Sequence, residues 1–266
     1  MVCAGVTKNN SAGDEKGIKM LSIIYLVLMS LLAGVLTGIV GMASLTLYPV
    51  LLSVGVAPVI ANATITVAQV GAGVGTVSAS LNELSHHWRQ AIQIAVLNTL
   101  GGVIGALILI HSSNGGFKKV VPIFIMLAGI MILIPKPKAA RKRHTQLATG
   151  MSWVAIFLVG IYNGYFGAAS GLLMIAVLSK IVNEDYAIYN AMRNFASFTN
   201  NIVAAAMFIS TISIDWAVIV PLLIGLFAGG YLGPVIVRYI PSKLIKLAVG
   251  GFAIVLALIL GYQAYW

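Results

Sequence analysis

The sequence predicts an all-α polytopic membrane protein built from two homologous repeats, each a glycine-broken helix pair followed by three spanning helices. Three observations predict it. Hydrophobic residues make up 60% of the 266 positions and charged residues 8%, against roughly 45–50% and about 25% in soluble domains. That leaves too little charge to clothe a water-facing surface. The charges also fall in clusters, separated by continuous apolar stretches. Finally, a glycine-rich pattern recurs at a constant offset. Disordered chains, collagen, disulfide scaffolds and ordinary soluble enzymes are excluded, and continuous rather than alternating apolar runs exclude a membrane β-barrel.

A spanning helix needs roughly 17–25 residues. Such stretches lie at 21–40, 58–81, 91–111, 119–134, 148–166, 186–209, 216–237 and 244–264. Two further apolar pieces, 44–55 and 170–182, are too short to cross, and each follows a long stretch across a glycine-rich bend. Residues 1–20 are expected to form a flexible tail, which lacks the apolar core of a signal peptide. The single cysteine, Cys3, lies there and excludes an intrachain disulfide. The first repeat covers 21–134 and the second 148–266. Between them, 135–147 is a basic linker expected on the cytoplasmic side, with Lys136, Lys138, Arg141, Lys142 and Arg143. The net charge of +10 then serves to orient the chain in the plasma membrane rather than to bind nucleic acid.

The repeat can be followed residue by residue. Gly34, Gly38, Gly41 and Ser44 match Gly160, Gly164, Gly167 and Ser170 at an offset of 126. Beyond a two-residue shift, Asn62, Trp88, Gly101, Gly102 and Gly105 match Asn190, Trp216, Gly229, Gly230 and Gly233 at 128. Internal duplication of this kind marks many transporter folds. If each broken pair enters and leaves on one side, the halves are inverted. The inside cations are then the five in the linker with Arg89, Lys180, Arg238, Lys243 and Lys246, and the outside ones are Lys8, Lys16, Lys19, Lys118 and Lys119. Four plain crossings per unit would instead make the halves parallel, with a slightly poorer inside excess. The 12–13-residue pieces favour inversion, because about 18–20 Å of helix reaches only halfway through a bilayer.

Gly38 and Gly41, like Gly164 and Gly167, are expected to let the backbone break or approach a neighbour closely, with Ser44 and Ser170 as N-caps of the short helices. Helix N-termini inside the membrane would present free N–H groups and positive dipole ends to an anion; packing through small residues is the other reading. The next helix of each unit carries a polar stripe: Asn62, Thr66, Gln69 and Gly73 in the first, Asn190, Asn194, Ser197 and Asn201 in the second. Steps of four and three place each set on one helical face. Interhelical hydrogen bonding and a lined cavity both account for them. Pro49 is expected to kink the first short helix.

Arg193 is the one charge inside an apolar stretch. It either snorkels to the headgroups or faces a cavity. No Asp or Glu lies in any stretch, so a fixed cation without a carboxylate favours an anionic substrate. The histidines at 86, 87, 111 and 144 read as loop residues, and Trp88, Trp153 and Trp216 as interfacial anchors. No HExxH, GxSxG or P-loop pattern occurs, which points away from an enzyme and from any cofactor or metal.

With its two glycine triplets and the Asn190-Ala-Met-Arg193-Asn194 segment, the chain resembles the TauE/SafE family over about 21–264. Where members of that family often carry a glycine run, this chain reads Gly41-Met-Ala-Ser44. The resemblance implies two related halves and a secondary transporter, better known for export, of sulfite, an organosulfonate or a related sulfur oxyanion. The expected substrate site comprises Arg193, Asn190, Asn194, Asn62, Thr66, Gln69, Ser44, Ser170, Gly41 and Gly167, working by alternating access near the midplane. Passive anion conduction or a small carboxylate substrate on the same fold is the alternative. Protons as coupling ion and a homo-oligomer both stay open.

Overall fold

The protein is described here by a computed structural model covering residues 8–133 and 146–266, apart from 169, 183, 215, 238, 240 and 241. It is helical throughout the described residues. The first repeat contributes α1 (Lys8–Val40), α2 (Ala43–Ser53), α3 (Pro58–Ala79), the single turn α4 (Leu81–Leu84), α5 (Trp88–Ile110) and α6 (Asn114–Leu133). The second contributes α7 (Gln146–Tyr165), α8 (Ser170–Ile181), α9 (Tyr186–Thr211), α10 (Trp216–Val237) and α11 (Ser242–Tyr265). The long stretches and both short pieces expected from the sequence appear as helices, with ends displaced by a few residues. Among the described residues, four helices are long and apolar enough to cross: Ile23–Val40, Pro58–Ala79, Trp88–Ile110 and Trp216–Val237.

Two expectations need correction or lie beyond view. The segment 1–20, expected to be flexible, is helical from Lys8 onward. No proline interrupts it, and a formed span propagates outward cheaply once nucleated. Of the basic linker, 135–145 falls outside the described residues, while Gln146 and Leu147 already belong to α7. Cys3 lies outside them as well.

Glycine contacts set how the helices pair. Gly34 and Gly38 of α1 lie against Gly229, Gly230, Gly233 and Pro234 of α10. The same contact recurs where Gly160 and Gly164 of α7 meet Asn98 and Gly102 of α5. Each half therefore lends its first helix to the other half, α1 to α10 and α7 to α5. α3 packs along α10, and α9 along α5. The result is two interlocked groups, one of α1, α3 and α10 and one of α5, α7 and α9, joined where α3 meets α9. Without lateral hydrophobic pressure between helices in lipid, such backbone approach supplies dispersion contact in its place.

The registers give directions. Gly34 meets Leu226 and Gly38 meets Pro234, so residue numbers rise together along α1 and α10. Across the centre they run oppositely: Gln69 bonds Asn201 while Gly73 abuts Phe198. α6 and α11 also oppose, with the Tyr265 hydroxyl donating to Lys119 O and Gly261 near Pro122. α3 matches α9 in the repeat, and α6 matches α11.

A side chain on Gly164 would run into the Gly102 carbonyl, which is backbone and cannot swing away. Gly164→Val is expected to cost more than the roughly 1–3 kcal/mol typical of overpacking. The variant should lose its monodisperse peak in size-exclusion chromatography or unfold at a clearly lower temperature. Gly115→Ala, where the added carbon meets open space, should match the parent within about 0.5 kcal/mol.

Candidate functional site

Both broken helices end at the centre of the molecule. α1 stops at Val40 and Gly41 adopts φ 76°; α7 stops at Tyr165 and Gly167 adopts φ 73°. This left-handed region is open to glycine at little cost. The Gly41 N–H donates to Leu36 O at 3.1 Å and the Gly167 N–H to Tyr162 O at 2.9 Å. Leu36 and Tyr162 are repeat partners, so the two helix ends close alike, in the manner of glycine-terminated helices. Space is as restrictive as conformation at Gly41. A Cβ there would lie 2.6 Å from both Gly171 Cα and Arg193 Nη1.

A helix that ends among apolar neighbours leaves carbonyls needing donors. α9 supplies them to α1. Arg193 Nη1 donates to Thr37 O at 2.9 Å, and Nη2 donates to Gly38 O at 3.4 Å and to Asn190 Oδ1. Asn190 Nδ2 donates to Gly38 O at 3.0 Å, and the Tyr186 hydroxyl to Ile39 O at 2.8 Å. Cations and donors at a helix C-terminus also offset its negative dipole end. α3 treats α7 in the related way: Asn62 Nδ2 donates to Tyr165 O at 2.9 Å. Position 65, the repeat partner of Arg193, is isoleucine, so the charge serves one end only.

Beside these ends lies a cavity of about 20 Å³, room for roughly one water. α1 and its following bend contribute Thr37 and Gly41; α3 contributes Gln69, Gly73 and Thr76; α7, its bend and α8 contribute Asn163, Gly167 and Ser170. α9 contributes Arg193, Asn194, Ser197, Phe198 and Asn201. The polar walls are partly tied together. Gln69 Nε2 donates to Ser44 Oγ and Asn201 Nδ2 to Gln69 Oε1, both at 3.0 Å, and Ser170 Oγ donates to Asn163 Oδ1 at 2.6 Å. Three buried donors of the lining have no partner among the described residues: Arg193 Nε, Asn194 Nδ2 and Asn163 Nδ2. Arg193 is wholly enclosed and the two asparagines are at most 8% exposed. Unpaired buried donors cost about 1–3 kcal/mol each, so three on one small cavity suit an acceptor that arrives from outside the chain.

The sequence profile described as "Sulfite exporter TauE/SafE" matches residues 26–260. The chain belongs to the TauE/SafE family. Two relatives bear this out. The "Probable membrane transporter protein YfcA" of Escherichia coli K12 is 26% identical over 232 residues, covering 85% of this chain and 84% of its own. A "Probable membrane transporter protein" of Haemophilus influenzae is 28% identical over 236 residues, covering 86% and 90%. No solved structure matches. The protein is thus a multi-pass membrane transporter of the TauE/SafE family and not an enzyme.

Within this TauE/SafE fold, six of the expected site residues line the cavity: Gly41, Gln69, Gly167, Ser170, Arg193 and Asn194. Ser44, Asn62, Thr66 and Asn190 are not in its lining. Asn62 and Asn190 spend their amides on helix ends, and Thr66 Oγ1 donates back to Asn62 O at 3.0 Å. The expected N-cap role of the serines is also corrected. α2 begins at Ala43 with Met42 at its cap and no side-chain capping bond. Ser44 is the second helical residue and its hydroxyl receives Gln69, while Ser170 opens α8 with its hydroxyl committed to Asn163. Arg193 does not snorkel, being fully buried against α1. Thr37, Thr76, Asn163 and Phe198 were not anticipated. For Thr37 and Asn163 a signal existed: they are repeat partners, each just before Gly38 or Gly164.

Arg193→Met keeps length but removes the guanidinium's bonds to Thr37 O, Gly38 O and Asn190 Oδ1, leaving the two carbonyls only the Gly41 N–H and Asn190 Nδ2 as donors. We expect a loss of about 2–4 kcal/mol. In a thermal melt of detergent-purified protein this should read as a midpoint lower by roughly 5–15 °C. An unshifted midpoint would rule out the capping role.

Proposed function

We propose that the chain carries a small anion, such as sulfite, an organosulfonate or a related sulfur oxyanion, across the plasma membrane by alternating access. The supporting observation is the trio of unpartnered donors, Arg193 Nε, Asn194 Nδ2 and Asn163 Nδ2, on one buried cavity. A cationic substrate would not match a wall of donors with one fixed positive charge; an oxyanion meets both the donors and the charge. The description of the family as a sulfite exporter supports a sulfur oxyanion and the outward direction.

The inverted arrangement of the halves belongs to the same reading. Its support is the register of repeat-related helices: α3 opposes α9 and α6 opposes α11. Parallel halves would make each of these pairs run together. In this arrangement α1–α2 and α7–α8 dip to the midplane from opposite sides, and the site lies where they meet. The moving bodies are then the two interlocked groups rather than the two halves of the sequence. Arg193, Asn194 and Asn163 bind the anion; Gln69, Ser170 and Asn201 complete its walls; Gly41 and Gly167 let the backbone approach. Asn190 and Asn62 position the helix ends, and Asn190 also orients the guanidinium. At about 20 Å³ the cavity is too small for an oxyanion, which supports a contracted resting form that must widen to bind.

Asn194→Leu removes one donor and breaks no hydrogen bond between described residues. Its affinity for sulfite or a short sulfonate should fall about tenfold or more, the loss of one charge-assisted bond, with the thermal midpoint unchanged. Equal affinity in a titration of parent and variant would remove the site. Proteoliposomes test the carrier: counterflow against the substrate gradient is expected, and strictly downhill flux would make the protein a channel.

A further inference from the structure

We infer that the site selects by charge state, taking monoanions and rejecting dianions. This rests on the anion reading above and adds the net charge of the substrate.

Each break brings two helix ends to the cavity. α1 and α7 arrive with their C-termini at Val40 and Tyr165, while α2 and α8 depart with their N-termini at Ala43 and Ser170. Helix ends carry about half a unit charge, negative at the C-terminus and positive at the N-terminus. One of each sign at each break cancels. The field at the site is therefore set by formal charges, and the lining contains one, on Arg193.

Nothing titratable compensates it at close range. The lining residues from α1, α3, α7 and α8 are neutral: Thr37, Gln69, Thr76, Asn163 and Ser170 among them. The hydrogen bonds of the guanidinium go to two backbone carbonyls and an amide oxygen, none of them a carboxylate. On α9 itself the other titratable groups are Tyr186, whose hydroxyl is committed to Ile39 O, and Tyr189. Glu184 and Asp185 precede α9 two turns away, and Glu83 of α4, which also packs on α9, is outside the lining. Arginine stays charged across the ordinary pH range. A monoanion thus makes the site neutral. A dianion leaves one uncompensated charge in a poorly solvated space, where the penalty is far larger than in water.

A consequence follows for sulfite, which exchanges between a dianion and, on gaining a proton, the hydrogensulfite monoanion. Only the protonated form fits. Each hydrogensulfite delivered can then release its proton on the far side, so that sulfite and acid move together although no carboxylate relay lines the site.

The test is a calorimetric titration of the purified full-length protein with methanesulfonate, sulfate and sulfite, each at mildly acidic and mildly alkaline pH. Methanesulfonate, a monoanion throughout, should bind equally at both. Sulfate should bind at least about tenfold more weakly, equivalent to 1.4 kcal/mol or more. Sulfite should tighten on acidification as the hydrogensulfite fraction grows. Sulfate binding as tightly as methanesulfonate, or sulfite binding without pH dependence, would overturn the charge rule and leave the anion site standing. If none of the three binds, both the rule and the anion reading fall.

Discussion

The structure depends on how two helices are allowed to stop where there is no water. A helix end inside an apolar layer exposes carbonyls that nothing nearby hydrates. Here the end of α1 is met by Arg193, Asn190 and Tyr186, all from one helix of the other half. The end of α7 is met by Asn62. With those carbonyls satisfied, Gly41 and Gly167 can turn the chain and two short helices can leave from the centre. The cavity is the gap between the turned ends. Of the four side chains that make this repair, Arg193 alone also lines the cavity.

The second requirement is that the ends meet at all. This follows from the exchange of first helices between the halves, α1 onto α10 and α7 onto α5, through facing glycines. Neither half encloses the site alone. α1 and α3 bring one wall, α7 to α9 the other, and the α3–α9 contact closes the middle. An interlock of this kind explains why six glycine pairs recur in order along the chain. They are the points where backbone touches backbone, and a side chain at most of them has nowhere to go.

Much of this was legible in the sequence, and the parts that were not have a common cause. Helix positions followed from apolar length, and the duplication from constant offsets. The breaks followed from the pairs Gly38 and Gly41, and Gly164 and Gly167; the structure puts the positive φ at the second glycine of each. What spacing could not tell was how a buried polar group is satisfied. Asn190 and Asn194 are one turn apart on α9, yet one caps a carbonyl and the other points a free amide at the cavity. A step of four puts them on a common face; a small rotation of that face against α1 decides their duties. Ser44 failed as a cap for a similar reason, since Gln69 reaches its hydroxyl from a helix 25 residues on. Asn163 was overlooked because it sits among glycines in the broken helix, not in the more conspicuous stripe.

On the proposed reading, Arg193 would hold both the fold and the substrate. Its two terminal nitrogens carry the bonds to α1 and Asn190, and its Nε carries none. The guanidinium is planar and rigid, so fixing one edge fixes the direction of the other. Binding an anion at Nε therefore requires no exchange of the bonds that keep α1 closed, and the charge is already in place before the substrate arrives. A lysine could not divide the work in this way, because its single ammonium would have to leave the carbonyls to reach the anion. The pseudo-symmetric position in the other half is Ile65. A second arginine there would put two like charges beside one small cavity, and each would have to be neutralised by whatever is carried. In the proposed site the single arginine, unmatched at Ile65, therefore limits the charge that can be neutralised to one unit.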